Sequence, residues 1–185
     1  MTPITVLGIS GSLRRRSYNT AALRAARELA PQGVTVMIAD LSAIPPYNDD
    51  VREREGYPAA VEHLRNQVRA ADAVLFATPE YNYSIPGVLK NAIDWVSRPP
   101  DQPFAGKAAA IIGASPGPTG TARAQYHLRQ IGVYLDLHFL NKPEVMIANA
   151  GERFDQEGLL KDEKTAELLR KLLENLHRWS LKLMA

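Results

Sequence analysis

The sequence predicts an α/β protein built on a doubly wound, five-stranded parallel sheet with helices on both faces. Five short apolar runs alternate along the chain with segments whose apolar residues recur at helical spacing. The runs are largely apolar throughout, which is typical of parallel strands that are covered on both faces. Right-handed crossovers through the intervening helices would bring these strands into one sheet.

Each predicted element follows from its own pattern. The five strands are predicted at 5–9, 34–38, 73–78, 108–112 and 144–147. The apolar faces of the helices are predicted at Ala22, Ala26 and Leu29; Val61, Leu64, Val68 and Ala71; Val88 to Trp95; Leu128, Ile131 and Leu135; and Leu168, Leu172, Leu176 and Trp179. Segment 40–56 is expected to be a long loop, and segment 98–106 a proline-rich connector.

Length and composition limit the classes of protein to consider. A chain of 185 residues fits a single domain, 1–185, and zero cysteines exclude disulfides, thiolate metal sites and cysteine nucleophiles. No apolar run reaches the roughly 18 residues of a membrane span, and no signal peptide is visible, so a cytoplasmic protein without membrane insertion is expected. A net charge of +2 without a basic stripe argues against nucleic acid as a partner.

Ligands of doubly wound sheets bind beyond the carboxyl ends of the strands, where the strand order reverses. The candidate ligand-binding loops are therefore 10–19, 79–87 and 113–120. The first lies between a strand and a helix N-terminus and contains three serines, an asparagine and three arginines, all able to donate to phosphate oxygens. It lacks the glycine patterns of Rossmann dinucleotide folds and P-loops, so it fits a terminal phosphate monoester. The alternative is a solvated basic turn capped by Ser17.

The second loop contains two prolines and a glycine together with Glu80, Tyr81, Asn82 and Tyr83. A rigid, aromatic and polar loop at the mouth of a strand suits a flat, partly polar ligand, with N–H groups and Asn82 on the polar edge of its rings. The alternative is a turn that only packs an aromatic edge.

The third loop contains Gly113-Ala-Ser115-Pro-Gly117, which matches the nucleophile elbow of α/β-hydrolases. Asp155 and His177 would complete a triad order, but Pro116 lacks the N–H that the oxyanion hole needs. An exposed structural role is expected for His177. Ser115 and Gly117 are better interpreted as a close-approach loop against the same planar ligand.

Two further sets of polar residues carry weaker signals. The histidines show no metal-ligand spacing, so no metal site is predicted at His63, His127, His138 or His177. One polar face of the helix after the third loop is either solvated or a subunit contact, and it comprises Arg123, Tyr126, His127 and Gln130.

The chain resembles the NADPH-dependent FMN reductase family, in its chromate and quinone reductase branch. The resemblance is carried by Gly8-Ile-Ser-Gly-Ser-Leu-Arg14 with Ser17 and Asn19, and by the long, highly specific string from Pro79 to Trp95. It extends through Gly117, Gly120 and Arg123 to Asn141-Lys-Pro-Glu144 and so covers nearly the whole chain. The family has a flavodoxin-like fold, and its members are commonly homodimers or homotetramers.

The resemblance also implies a set of FMN-binding residues. The first loop would bind the FMN phosphate, the second would contact the isoalloxazine, and the third would close its other side. The predicted cofactor-binding residues are Ser10, Ser12, Arg14, Ser17, Tyr18, Asn19, Pro79, Glu80, Tyr81, Asn82, Tyr83, Ser115 and Gly117.

The expected function is an FMN-dependent oxidoreductase that takes a hydride from NAD(P)H and passes two electrons to a small acceptor. Such chemistry belongs to the cofactor, so no side chain is predicted to be catalytic. The acceptor (quinone, chromate, azo compound or flavin) and the choice of NADPH or NADH stay open. The alternative is a flavodoxin-like one-electron carrier, although such carriers tend to be strongly acidic and this chain is slightly basic.

Overall fold

The computed structural model describes residues 2–185. Its strands all pair in parallel, in the order β2-β1-β3-β4, with two further short strands on the outer edge of β4. The strands are β1 (Ile4–Ser10), β2 (Val34–Ala39), β3 (Ala73–Ala77), β4 (Ala108–Ala114), β5 (His138–Phe139) and β6 (Val145–Ile147). This is the flavodoxin-like order, so the predicted fold class is confirmed.

Helices cover both faces of the sheet. They are α1 (Tyr18–Glu28), α2 (Asp49–Glu55), α3 (Ala59–Ala70), α4 (Gly87–Val96), α5 (Ala122–Tyr134), α6 (Ala150–Arg153) and α7 (Glu163–Met184). One apolar core lies between the sheet and helices α1 and α7, and a second lies between the opposite face and helices α3, α4 and α5. Successive residues of the central strands alternate between these cores, as Leu75 and Phe76 of β3 do.

The fifth strand position is divided between two segments, whereas the sequence predicted one strand at 144–147. Strand β5 pairs with the start of β4, and β6 pairs with its end, from Ile112↔Val145 to Ala114↔Ile147. The chain leaves the sheet between them, where Pro143 has no N–H to donate to the ladder. The predicted segment corresponds to β6, and β5 was missed because it is only two residues long.

Three expectations about the helices were wrong in detail. Helix α2 lies inside the predicted loop 40–56 and buries none of its residues, so it has no apolar period to detect; Asn48 caps it. The short helix α6 was also missed. In α7, Leu168 is exposed, and the buried face runs through Leu169, Leu172 and Leu173 instead.

His177 is buried rather than exposed, although its role is structural as expected. Its Nε2 lies 2.8 Å from the backbone oxygen of Thr2, which ties α7 to the chain just before β1. That contact is at the amino edge of the sheet, whereas Ser115 follows the carboxyl end of β4. A Ser–His pair of the hydrolase type therefore does not form.

Candidate functional site

The three predicted loops meet at the carboxyl edge of the sheet, beside the point between β1 and β3 where the strand order reverses. Gly11 brings the first two together. A Cβ at this position would lie 3.2 Å from both Pro79 Cδ and Pro86 Cγ, so only glycine allows the approach without displacement. The Gly11 N–H also donates to the Ala77 oxygen, at 2.8 Å.

The first loop is held by hydroxyl contacts to the start of α1. Ser10 is buried at the end of β1, and its Oγ lies 2.9 Å from Thr20 Oγ1. Ser17 is the N-cap of α1 and accepts a hydrogen bond from the Thr20 N–H at 3.3 Å. The first N–H groups of a helix have no intrahelical partner, so those of Tyr18 and Asn19 remain available at a positive dipole end.

Asn19 has a structural task at this site. Its Nδ2 donates to the Ala114 oxygen and its Oδ1 accepts from the Ala114 N–H, both at 2.9 Å. The side chain is buried, so these two bonds fasten α1 to the end of β4. The amide thereby sets the distance between the first loop and the third.

Arg14 lies on the solvent side of the first loop. Its guanidinium donates to the Arg16 oxygen at 2.9 Å and lies 6.0 Å from the centre of the Tyr18 ring. Arg14, Arg15 and Arg16 are all exposed. None of the three forms an ion pair within residues 2–185, so the loop presents uncompensated positive charge.

The second loop is a tight hairpin. Tyr81 and Ser84 exchange two backbone hydrogen bonds, at 2.9 and 3.0 Å, and the residues between them, Asn82 and Tyr83, have positive φ of 52° and 65°. Positive φ at both central residues is the mark of a type I′ turn, which favours Asn first and Gly second. A tyrosine in that second position is strained, and such strain is typical of functional loops. Both tyrosine rings are more than half exposed.

Glu80 fastens this hairpin to the beginning of α5. Its carboxylate accepts from the Arg123 N–H at 3.0 Å and the Ala124 N–H at 3.2 Å, and it pairs with the Arg123 guanidinium. The Arg123 guanidinium also lies 3.9 Å from the centre of the Tyr83 ring. Because the carboxylate is fully engaged, what Glu80 can offer a ligand is its backbone.

The third loop is also held by hydrogen bonds. Ser115 Oγ accepts from the Gly117 N–H at 3.1 Å, and the Ser115 oxygen accepts from the Ala150 N–H at 3.0 Å. A Cβ on Gly113 would lie 2.6 Å from the Thr78 oxygen, so β4 and the second loop also touch closely. The first loop is thus fixed to the second by close packing at Gly11 and to the end of β4 by the Asn19 side chain, and β4 packs closely against the residue that precedes the second loop.

The family model described as NADPH-dependent FMN reductase matches residues 4–152. The chain belongs to this family. It is an NAD(P)H-dependent reductase that uses FMN, and its family offers no support for the alternative of a one-electron carrier.

Relatives of the whole chain agree with the family model. An NAD(P)H-dependent FMN reductase of Pseudomonas aeruginosa is 63% identical over 176 residues, covering 95% of each chain. A quinone reductase of Escherichia coli is 48% identical over 168 residues, covering 90% of this chain and 89% of that protein. The structure of FerB, a flavoenzyme NAD(P)H:(acceptor) oxidoreductase of Paracoccus denitrificans, superposes with a TM-score of 0.87 at 37% identity, covering 97% and 98%.

The donor set of this FMN reductase family member fits a flavin mononucleotide. Hydroxyls, free N–H groups and arginines lie at the β1–α1 loop, as a phosphate monoester requires. The strained aromatic hairpin lies beside it, joined through Gly11 and Pro79, as a planar ring system attached to that phosphate requires.

Sequence reasoning missed the residues that hold the loops in place. Thr20 lies inside a helix pattern and gave no signal. Arg123 and His127 were assigned to a polar face that is solvated or a subunit contact, yet within this chain they contact the hairpin; His127 Nδ1 lies 3.0 Å from Ser84 Oγ. The signal was present in the i, i+4 spacing of Arg123 and His127, which places both on one side of α5.

Two carboxylates have a lowered pKa, which favours their ionised form. The Ser42 backbone N–H, followed by its hydroxyl, lowers the pKa of Asp40, which lines an open cavity of about 320 Å³ with Ser10, Ser12 and Arg14. Hydrogen bonds from Lys142 and then Tyr126 lower the pKa of Glu144.

Within residues 2–185, no helix combines the length and the apolar character needed to cross a membrane.

Proposed function

We propose that residues 1–185 form one FMN-binding domain that passes two electrons from NAD(P)H to a quinone-like acceptor, with the flavin held between the three loops. One observation carries the proposal. A loop rich in phosphate donors and a strained aromatic hairpin are fixed against each other, through Gly11, at the β1/β3 reversal point.

The first loop would bind the phosphate. Ser12, the Arg14 guanidinium and the free N–H groups of Tyr18 and Asn19 would donate to its oxygens, while Ser10 and Ser17 shape the loop through Thr20. The Asn19 side chain would act by position, since its amide is bonded to Ala114.

The second and third loops would bound the ring system. Backbone groups from Pro79 to Asn82 would bond its polar edge, and the Tyr81 and Tyr83 rings would flank it. Ser115 and Gly117 would approach from the other side, where Gly117 has only Ser115 Oγ within 4 Å of an added Cβ.

Bound FMN supplies the redox chemistry, because it accepts a hydride from NAD(P)H and gives two electrons to the acceptor. The protein would orient the ring, and N–H donors of the loops would stabilise negative charge on its polar edge. No side chain at this edge is needed as base or nucleophile.

The acceptor we favour is a quinone, since several relatives carry that activity in their names, including the one from Escherichia coli. Exposed tyrosine rings at positions 81 and 83 offer a flat apolar surface for such a molecule. Chromate, azo compounds and free flavin are further acceptors to compare.

We further propose that the protein is a cytoplasmic homodimer or homotetramer that associates through α5. The helix exposes Tyr126, Val133 and Tyr134 on one side, with Val133 and Tyr134 about 80% exposed. Large apolar side chains in such a row are typical of an interface.

The decisive experiment is a visible absorption spectrum of the purified protein, reconstituted with FMN, before and after anaerobic NADPH. Flavin bands that bleach directly, followed by reoxidation with a quinone, would support the proposal. Failure to bind FMN would refute the site, and bands that persist with both NADPH and NADH would refute the reductase function.

A further inference from the structure

A large basic cavity lies on the outer flank of α1, beside the first loop. It measures about 710 Å³, within the range of small-molecule sites, and is bounded by segment 14–18, by Ala21 and Arg24 of α1, and by the chain from Gly151 to Lys161. None of the second or third loop lines it. It is therefore separate from the surface on which the flavin ring is placed.

The charges around this cavity do not balance. Arg14, Arg15, Arg16, Arg24 and Lys161 line it, against two carboxylates, Asp155 and Glu157. Within residues 2–185, none of the five cations takes part in an ion pair. Arg14 is assigned above to the FMN phosphate, which leaves four cations against the two carboxylates. Cations gathered around one cavity repel one another, and a bound anion would relieve that repulsion.

The two acids are poorly placed to neutralise these cations. Asp155 Oδ1 accepts from the Leu159 N–H at 2.7 Å, which uses the carboxylate to close its own loop. The Arg24 guanidinium instead lies over Gly158, whose φ is +82°, with Nη2 3.4 Å from where a Cβ would be. A glycine at this point leaves the guanidinium room to lie against the loop while facing the cavity.

The wall also offers an aromatic surface. Tyr18 stacks on Phe154 with ring centroids 5.6 Å apart, and both residues line the cavity. A base or ribose beside a phosphate would find apolar contact there. A phosphate monoester carries close to two negative charges at neutral pH, which matches an excess of cations better than a diester does.

We propose that this cavity binds the 2′-phosphate and adjoining adenosine of NADPH, with Arg24 and Lys161 as the residues that distinguish NADPH from NADH. The inference rests on the proposed function, since it names the electron donor of that same enzyme. The phosphate of FMN is also a monoester and could bind to the same cations. The experiment distinguishes the 2′-phosphate of NADPH from the phosphate of FMN.

The test uses FMN-loaded protein and isothermal titration calorimetry with adenosine 2′,5′-bisphosphate and with adenosine 5′-diphosphate, which lacks the 2′-phosphate. We expect the bisphosphate to bind at least tenfold more tightly. Arg24→Gln and Lys161→Gln should each weaken its binding about tenfold, the usual scale for a lost charge-assisted contact. Arg27→Gln is the matched control, because it removes the same charge from α1 outside the cavity.

The outcomes are distinct. Equal binding of the two probes, or equal losses in Arg24→Gln and Arg27→Gln, would overturn the inference. If the Arg24 and Lys161 variants lose FMN affinity while bisphosphate binding is unchanged, the cavity holds the flavin phosphate instead and the inference is wrong. Anaerobic reduction by NADPH and NADH is followed separately; reduction by neither would refute the proposed function whatever the calorimetry shows.

Discussion

Asn19 joins two parts of the site with a single side chain. It lies in the first turn of α1 and makes two hydrogen bonds, each 2.9 Å, with the backbone of Ala114. Ala114 is the last residue of β4 and lies opposite Ile147, the last residue of β6. Asn19 therefore sets the position of the first loop and also contributes to the stability of the folded protein.

We expect Asn19→Ala to lower the free energy of unfolding by about 3 kcal/mol, because it leaves a buried N–H and a buried carbonyl without partners. Urea denaturation of the protein checks this. The control is Asn175→Ala, which removes two exposed hydrogen bonds, one donated to the Lys142 oxygen at 3.1 Å and one accepted from Arg178, and should cost under about 0.5 kcal/mol. Similar losses in the two variants would contradict the bridging role of Asn19.

Arg14 is the first-loop cation that we place on the FMN phosphate. We expect Arg14→Ala to weaken FMN binding roughly tenfold, about 1.4 kcal/mol, through loss of a charge-assisted contact on an exposed side chain. Quenching of flavin fluorescence on titration into apoprotein measures it, with Arg27→Ala as the control. Equal FMN affinity in wild type and Arg14→Ala would refute the phosphate assignment.

At the scale of elements, the second loop shows how a strained turn is held. The type I′ hairpin places Tyr83 at a φ of 65°, a conformation that costs a non-glycine residue roughly 1–2 kcal/mol. Contacts from α5 offset this: Arg123 lies against the Tyr83 ring and His127 contacts Ser84. These contacts join the hairpin to α5.

The strain at Tyr83 can be measured by comparing two substitutions. Tyr83→Gly and Tyr83→Ala both lose the ring, but only alanine keeps the cost of positive φ. We expect the glycine variant to be more stable by about 1 kcal/mol, as judged from chemical denaturation. Equal stability of the two would mean that the turn is not under strain.

Glu80 stabilises the N-terminus of α5 from outside the helix. Its side chain is only 8% exposed and accepts two backbone N–H groups that no intrahelical carbonyl can reach. Glu80→Ala should lower the free energy of unfolding by about 2 kcal/mol, measured by urea denaturation.

The matched control is Glu163→Ala, which removes an acid from the first turn of α7 that also pairs with an arginine, Arg170, at 2.7 Å. That carboxylate is 71% exposed, so its removal should cost under about 1 kcal/mol. A loss at Glu80 no larger than the loss at Glu163 would show that burial of the carboxylate contributes nothing.

At the scale of the whole molecule, the exposed row on α5 predicts self-association. We expect Val133→Asp with Tyr134→Asp to shift the protein towards monomer, because two carboxylates in an apolar interface are costly to desolvate. Light scattering coupled to size-exclusion chromatography measures the mass. The control is Lys171→Asp together with Lys182→Asp on α7, which changes charge elsewhere; an unchanged mass in the α5 variant would refute the interface.

The elements that the sequence predicts are those whose apolar residues recur with a regular period. The strands and large helices follow from apolar periodicity, and a doubly wound parallel sheet follows from the alternation of strands and helices. The observed 2-1-3-4-5 order is the one implied by the family resemblance, since alternation alone does not set the order of the strands. Helix α2 has no apolar face, and β5 is only two residues long, so neither leaves a period to detect. In α7 the wrong leucine was placed inward, because Leu168 and Leu169 are neighbours and differ by only one helical step.

By itself, the sequence determined the fold class, the family and the three loops, because each is written in a short contiguous stretch. Only the tertiary structure decided what the polar groups of those loops do. In the structure, the Glu80 carboxylate binds the start of α5 and the Asn19 amide binds the end of β4. Arg24 and Lys161 line one cavity together with the first loop. These partners lie far apart along the chain, and a hydrogen bond or a shared cavity between distant residues depends on distances that no local pattern encodes.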